Sequence, residues 1–505
     1  MHPLKMVPAL PLGMGKPSHA LFMEKYSLFT FPVYFPVKIE RSNDTMSDEK
    51  NAEPREDIIN HSPASSYIPP QVPELAGRLE WFRDLKLALM VHWGGYSQLG
   101  LCESWPVSDG DASWSRKGIG WEEDPDAFRR QYFNLNKTFN PLRFEPYKWA
   151  DFAKQAGFRY LIFTTKHHDG FCMFDTKQTG YKVTGEDCPF HTHRYANIAK
   201  HLFDAFRERG IAIAAYYSKP DWHCPWYWAP GQKRPVAFDR NPTYDIQAQP
   251  GLWNEFVSFT HAQIMELMRD YGRIDILWLD GGQVRPQNGQ DIHLGEVIKK
   301  ARELQPWLLT ADRTVGGVYE NYITPEQQIP GEVLHVPWES CITVGTSFSY
   351  AFEDEYKPAR TLLHLLLEVV AKGGNLALNI GAQPDGRLPR RAMEPALEMG
   401  AWLRENGEAV YGTRPCEPYL NGPWVFTRSK AASYAIFRCQ EGERLPGKLI
   451  IPVSWPVTSV KLTSDGRPLP FAQSDEGITV SLKEDLRGSY PLALAFTISN
   501  HFPPD

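Results

Sequence analysis

Carboxylates, histidines and an arginine recur in this chain at the ends of short apolar runs. The sharpest case is Arg273-Ile-Asp-Ile-Leu-Trp-Leu-Asp280-Gly-Gly282, where the apolar residues 276–279 stop at Asp280 and two glycines. A continuous apolar run of this length suits a strand buried on both faces, and the glycines let the chain turn sharply at its end. His92 closes a run that begins at Leu87, His167 and His168 follow residues 160–166, and Tyr216, Tyr217 and Ser218 close a run from Ile211. Trp222 and His223 lie just beyond, Asp312 and Arg313 end a fifth run, and Glu103-Ser104-Trp105 comes shortly after His92. A lone histidine is more often a core or surface residue than a functional one. Four of them at three successive strand ends point to one pocket, because one face of a parallel barrel gathers its strand ends. An aspartate on that face is a catalytic candidate, although the same residue type also caps helices and closes turns.

Three chemistries draw on such residues. A metal centre would take ligands from His92, His167, His168, His223 and Asp280. Those five have neither HxH nor HExxH spacing, and adjacent His167 and His168 on extended backbone point to opposite sides, so no metal is expected. Serine nucleophile chemistry calls for a GxSxG elbow, and the chain has none. Glycoside cleavage needs two carboxyl groups flanking a glycosidic bond, with neutral donors and aromatic faces to hold the sugar. Asp280 supplies one carboxylate, and the histidines, tyrosines, tryptophans and Arg313 fit the other needs.

These residues need a frame, and the pattern around them supplies one. Between about 75 and 415, helical stripes alternate with short apolar runs, the α/β signature. Strands are expected at 87–93, 160–166, 211–218, 276–280, 308–313 and 376–381, with a weaker one near 336–341. Stripes such as Trp149, Phe152, Ala153 and Ala156, or Ile198, Leu202, Phe203 and Phe206, end at Gly157 and Gly210, where a helix C-cap favours glycine. Six or seven such units predict a TIM-like (β/α) barrel over residues 73–416. A doubly wound open sheet is the alternative, weakened by the lack of GxGxxG after the first strand. Beyond Pro415, six short β-rich segments separated by turn residues such as Ser464-Asp465-Gly466 predict an all-β sandwich over 417–505, without catalytic clusters of its own. Residues 1–72, where Pro32 and Pro36 break an apolar stretch and a charged stretch follows, are expected to form a poorly ordered extension. MSDEKNAEPRED, starting at Met46, reads as an alternative natural start.

Composition narrows the partners. A net charge of −6 leaves no basic excess to neutralise nucleic acid or an anionic membrane. No apolar stretch is long enough to span a bilayer, and the prolines in the first twenty residues interrupt any signal-like core, so a cytoplasmic location is expected. The seven cysteines are odd in number and never spaced as CxxC, which suits a reducing compartment. Self-association is compatible with everything above.

The motifs WFRDLKLALMVHWGGYS, TTKHHDGFCMFDT, AYYSKPDWH, DILWLDGG, ADRTVGG, YITPEQQIP, PWESCITV, GGNLALNIGAQPDGRLP and RENGEAVYGTRP occur in this order between about Trp81 and Pro415. The series resembles glycoside hydrolase family 29, the α-L-fucosidases, and the trailing β domain resembles that family's arrangement. The resemblance implies a retaining exo-glycosidase that needs no metal or organic cofactor and acts on fucosylated oligosaccharides or glycoconjugates. It implies Asp280 as nucleophile, and His92, His167, His168, Tyr217 and Arg313 as holders of the sugar hydroxyls. Glu326, in TPEQ, matches the family's acid/base segment, and Glu339, in PWESC, is its rival. The family often reads Glu-Trp after the HWG strand, whereas this chain has Glu103-Ser104-Trp105. The extra residue shifts which of Glu103 and Trp105 meets the substrate. A glycosidase for a related sugar, or a sugar-binding protein on the same barrel, is the alternative reading.

Overall fold

The computed structural model describes residues 61–108, 115, 124–232, 240–489 and 491–500. Most of the expected N-terminal extension, Met46 included, lies outside the described residues. Seven parallel strands build the first sheet: β1 (Leu87–Val91), β2 (Tyr160–Lys166), β3 (Ala212–Ser218), β4 (Ile276–Asp280), β5 (Leu309–Asp312), β6 (Glu339–Thr343) and β7 (Asn375–Asn379). Their order is β5-β4-β3-β2-β1-β7-β6. Eight helices accompany them among the described residues: α1 (Pro73–Leu85), α2 (Pro125–Phe133), α3 (Pro146–Gln155), α4 (Ile198–Glu208), α5 (Pro250–Asp270), α6 (Leu294–Leu304), α7 (Ala359–Ala371) and α8 (Arg390–Asn406).

Alternation along each strand sorts the side chains into two cores. Ala88, Met90, Tyr160, Ile162, Ala214, Tyr216, Ile276, Trp278, Leu309 and Ala311 form the interior of the curved sheet, joined by Leu75, Leu79 and Phe82 of α1. Their neighbours Leu89, Val91, Leu161, Phe163, Ile213, Ala215, Tyr217, Leu277 and Leu279 face outward into the layer packed by the helices. A strand with both faces covered reads as an unbroken apolar run, which is why these strands are legible in the sequence.

The sheet does not close through an eighth regular strand. β5 and β6 are its two edges, and the irregular stretch 319–327 fills the gap between them. Asp312 N–H donates to the Tyr319 carbonyl and Asn321 N–H to that of Thr310 on the β5 side. On the β6 side, Ile323 N–H donates to Pro337 and Cys341 N–H to Pro325, while Glu339 N–H donates to Ile323. These bonds satisfy edge groups that would otherwise be buried without partners. The expected barrel is therefore a seven-stranded parallel half-barrel with an irregular closure.

Downstream, β8 (Arg414–Asn421), β9 (Trp424–Arg428), β10 (Ser433–Arg438), β11 (Lys448–Ile451), β12 (Val457–Leu462), β13 (Phe471–Ser474), β14 (Gly477–Ser481) and β15 (Ala493–Asn500) form two antiparallel sheets. Their orders are β12-β15-β10-β9-β8 and β11-β14-β13. Phe426, Ala435 and Phe496 of one sheet share a core with Ile451, Ile478 and Val480 of the other, the packing of a sandwich. It is tied to the barrel by Trp402 Nε1 of α8 donating to Ala493 O at 2.9 Å and by Arg360 of α7 donating to Pro491 O at 2.8 Å.

Candidate active site

Asp280 is the last residue of β4, and its two oxygens have different partners. Oδ1 accepts from Arg313 Nη1 at 3.0 Å, and Oδ2 accepts from the Tyr216 hydroxyl at 2.6 Å. Gly281 follows at φ 87°, and a Cβ there would lie 2.2 Å from Pro220, so only glycine permits the turn that leaves the carboxylate at the strand end. Burial opposes ionisation of Asp280, but the Arg313 guanidinium and the Tyr216 hydrogen bond hold its carboxyl well below the usual carboxylate range.

Arg313 follows β5 and reaches three groups. Besides Asp280 it contacts Glu326 through Nη2 at 2.5 Å and Thr324 Oγ1 through Nε at 3.1 Å. Glu326 and Thr324 belong to the stretch that closes the barrel, so the irregular closure delivers the second carboxylate. Glu326 is one-third exposed, with 34% side-chain accessibility. Glu339, its rival, occupies a different place. It is the first residue of β6, is wholly buried, and accepts from Tyr160 OH and from Trp278 Nε1 at 2.9 Å. Burial pushes its carboxyl up to about 7. Asp280 ends its strand whereas Glu339 begins one, so the parallel sheet sets them at opposite ends.

Three of the four histidines, His92, His167 and His168, gather beside Asp280, whereas His223 does not join them. His92 and His167 have ring centroids 5.7 Å apart, and His167 and His168 4.4 Å. His92 Nδ1 pairs with Asn379 Oδ1 at 2.7 Å, His167 Nδ1 with Ser104 Oγ at 2.6 Å, and His168 Nε2 lies 3.7 Å from Asp280. Their adjacency does not send the His167 and His168 rings to opposite sides, because both lie beyond the end of β2, where strand alternation no longer applies. Burial drives all three below the ordinary histidine value, His92 and His168 down to about 4, so the rings are neutral at pH 7. Linkage then fixes a sign. The unfolded chain, with histidines near 6.5, binds protons that the folded site refuses, so stability is full above about pH 6.5 and falls as pH drops towards 4. Each of His92 and His168 contributes up to roughly 3 kcal/mol to that fall. We expect thermal midpoints measured between pH 7 and 4.5 to decline, and to decline less steeply in His168→Asn.

Two expected contacts are corrected. Tyr217 is not at the site: its hydroxyl donates to Gln263 at 2.8 Å and accepts from Lys166 at 3.1 Å in the layer between sheet and helices. Strand alternation places its neighbour Tyr216 inside instead, and the sequence, with two adjacent tyrosines, does not disclose the phase. Tyr216→Phe should lower kcat/KM by about 10- to 100-fold through loss of a charge-assisted hydrogen bond. Tyr217→Phe should keep kcat/KM within about threefold while lowering the thermal midpoint. Steady-state kinetics with thermal melts on the two variants checks this.

Glu103 is also turned inward. It is buried at φ 45°, and its carboxylate accepts from Ser349 N at 2.6 Å and from the Ser347 hydroxyl. It thereby holds the loop whose Phe348 ring packs 5.0 Å from His92. Trp105 does reach the site, with its ring 5.2 Å from His168 and 6.0 Å from Trp222, and the Arg240 guanidinium 4.5 Å over it. Ser104, the extra residue between them, is the one that meets His167. His223 stacks on Tyr181 at 3.9 Å in the surrounding loops. The sequence reading missed Tyr216, Asn379, Ser104 and Phe348; the position of Asn379 at the end of the apolar run in GGNLALNIG was the available signal.

Of the five residues weighed as metal ligands, His167, His168 and Asp280 offer atoms within 4.8 Å of one another. Both Asp280 oxygens already accept hydrogen bonds, one from a guanidinium, which disfavours a cation there. Beside Gly282 opens a cleft of about 950 Å³ lined by Arg240, Gln283, Arg285, Gln290 and Thr314. It borders the loop after Asp280.

A carboxylate anchored at a strand end of a β/α barrel, a second carboxylate on the same arginine, and neutral histidines and aromatics around them define a glycoside hydrolase. The family described as Alpha-L-fucosidase matches residues 60–408, and the chain belongs to that family. It is similar to plasma alpha-L-fucosidase of Rattus norvegicus, 27% identical over 80% of this chain and 86% of that protein, and to tissue alpha-L-fucosidase of Homo sapiens, 25% identical over 88% and 93%. Among solved structures it resembles alpha-L-fucosidase isoenzyme 1 from Paenibacillus thiaminolyticus, with a TM-score of 0.71 and 27% identity over 85% of this chain and all of that one. The Thermotoga maritima alpha-fucosidase in complex with fucose has a TM-score of 0.64 and 25% identity, over 86% of this chain and 98% of that one.

Proposed function

We propose that this chain removes terminal α-L-fucose with retention of anomeric configuration, using Asp280 as nucleophile and Glu326 as acid/base. The observation that carries the mechanism is the Arg313 guanidinium shared by the two carboxylates. It keeps the two carboxylates near each other on one side chain, as the spacing of about 5–5.5 Å in retaining enzymes requires. Asp280, kept ionised, attacks the anomeric carbon as the glycosidic C–O bond breaks, and Glu326 gives its proton to the departing oxygen. Glu326 then takes a proton from water, which displaces Asp280. His92, His167 and His168 are neutral and suit ring hydroxyls, each able to donate from one nitrogen and accept at the other. His168 turns Nε2 towards Asp280, at 3.7 Å, while its Nδ1 is buried and has no hydrogen-bond partner among the described residues. The leaving sugar would occupy the cleft beside Gly282, and Glu339, buried at the far end of the sheet, is assigned no part in proton transfer.

The test is proton NMR of p-nitrophenyl α-L-fucoside during hydrolysis. First appearance of α-fucose supports retention, and first appearance of β-fucose overturns it. Absence of turnover on this substrate and on α1,3/4-fucosylated oligosaccharides would sink the substrate assignment.

A further inference from the structure

The Trp278 ring lies between the two groups that hold Asp280. On one side Tyr216 stacks on it, with centroids 5.1 Å apart and planes 22° from parallel. On the other, the Arg313 guanidinium carbon sits 4.6 Å from the ring centroid. Tyr216 donates to one oxygen of Asp280 and Arg313 to the other. The position of that indole therefore sets the position of both donors. Its own orientation is fixed by one polar contact, Nε1–H to Glu339 Oε1 at 2.9 Å. Glu339 is in turn held by the Tyr160 hydroxyl, which accepts from Asn375 Nδ2 at 3.3 Å, and Asn375 also donates to the Phe82 carbonyl of α1 at 2.8 Å. A buried carboxyl with no route to solvent is costly, and the fold keeps it where it meets an indole N–H that would otherwise be orphaned.

We propose that Glu339 is a positioning residue for the glycosidase reaction, orienting Trp278 so that Tyr216 and Arg313 present their donors to Asp280. The proposal rests on the reading of Asp280 as nucleophile. Glu339 touches no substrate and transfers no proton. It acts through the indole, which carries one hydrogen bond at the barrel floor up to two contacts at the reacting carboxylate. Displacing the ring by a few tenths of an ångström misaligns both donors at once, and the nucleophile loses its fixed direction of attack.

The readout is the pseudo-first-order rate constant for inactivation by 2-fluoro-fucosyl fluoride, in which Asp280 displaces the anomeric fluoride. That constant reports the reactivity of each active molecule and does not depend on how many molecules have folded. In Glu339→Gln the amide oxygen still accepts from Trp278 Nε1, and the constant should stay within about threefold of wild type. In Glu339→Leu the acceptor is gone, and the constant should fall by about tenfold or more. Trp278→Phe removes the donor and should fall similarly; combined with Glu339→Leu it should be no worse than the lower single variant, since both break one bond. If Glu339→Leu does not fold, Trp278→Phe decides alone. Constants equal to wild type in Glu339→Leu, or in Trp278→Phe where it stands alone, overturn the positioning role. Azide rescue of Glu339→Gln to α-fucosyl azide would instead make Glu339 the acid/base and overturn it as well. Peptide mapping of the trapped sugar separates the two readings. Label on Asp280 with unchanged constants refutes only the role of Glu339, whereas label elsewhere refutes the nucleophile and this proposal with it.

Discussion

Asp280→Gly should lose roughly 10⁴-fold or more in kcat/KM on p-nitrophenyl α-L-fucoside, and added azide should restore part of the turnover as β-fucosyl azide. The size follows from the step removed. Without the carboxylate no covalent intermediate forms, and the alternative is direct displacement by a weaker external nucleophile. Glycine leaves a gap on the face from which Asp280 attacks, and azide is small enough to enter it and carries the charge that Arg313 and Tyr216 are placed to meet. Attack from that face inverts the anomeric centre once, so the azide product is β. The fold should survive, since Arg313 keeps Glu326 and Thr324 as partners. Recovery of activity without azide, or azide rescue giving the α product, would remove Asp280 from the nucleophile's role.

The sequence disclosed those parts of the site that sit at the ends of regular strands. Asp280 follows a continuous apolar run, and the histidine pair and Arg313 follow runs that are largely apolar, because a parallel sheet covered on both faces has no polar side. The same rule conceals side-chain phase. In a run buried on both faces nothing distinguishes the residue that points in from its neighbour, so Tyr216 and Tyr217 read alike until register is known. Glu103 misled for a related reason. A glutamate beside an active-site strand invites a binding role, yet here its carboxylate fixes the loop from Ser347 to Ser349.

The closure of the barrel was hidden for a different reason. Residues 319–327 have neither helical nor strand periodicity, and Pro325 cannot donate to a ladder. The stretch is held by backbone bonds to two strand edges that are distant in sequence, and local pattern does not encode such pairing. The glycines and prolines in and around it give the composition of a loop that could reach over the pocket. It instead runs beside β6 and reaches the rim at Glu326, which pairs with Cys341 in an isolated parallel bridge. This backbone anchoring gives Glu326 a defined starting point while leaving its side chain one-third exposed, a combination suited to a group that must meet both a leaving oxygen and a water.

That arrangement yields the second large effect. Glu326→Ala should cost about 10²- to 10⁴-fold in kcat/KM on natural fucosides, whose leaving sugars need a proton, and much less on aryl fucosides whose phenolate departs unaided. The contrast between leaving groups separates an acid/base from a residue that merely binds. Loss of the same group also removes the base for the second step, so on an activated aryl fucoside the covalent fucosyl-enzyme should accumulate after a burst and appear in intact-protein mass spectra. Azide needs no general base and should clear that intermediate, and because it attacks a centre already inverted once, its product is α-fucosyl azide. The sign of the product thus distinguishes Glu326 from Asp280 in one experiment. A uniform loss across leaving groups, with no burst and no azide product, would leave Glu326 as a partner of Arg313 and nothing more. The proton donor would then have to come from another carboxyl able to reach the rim, because Glu339 lies buried at the barrel floor beneath Trp278.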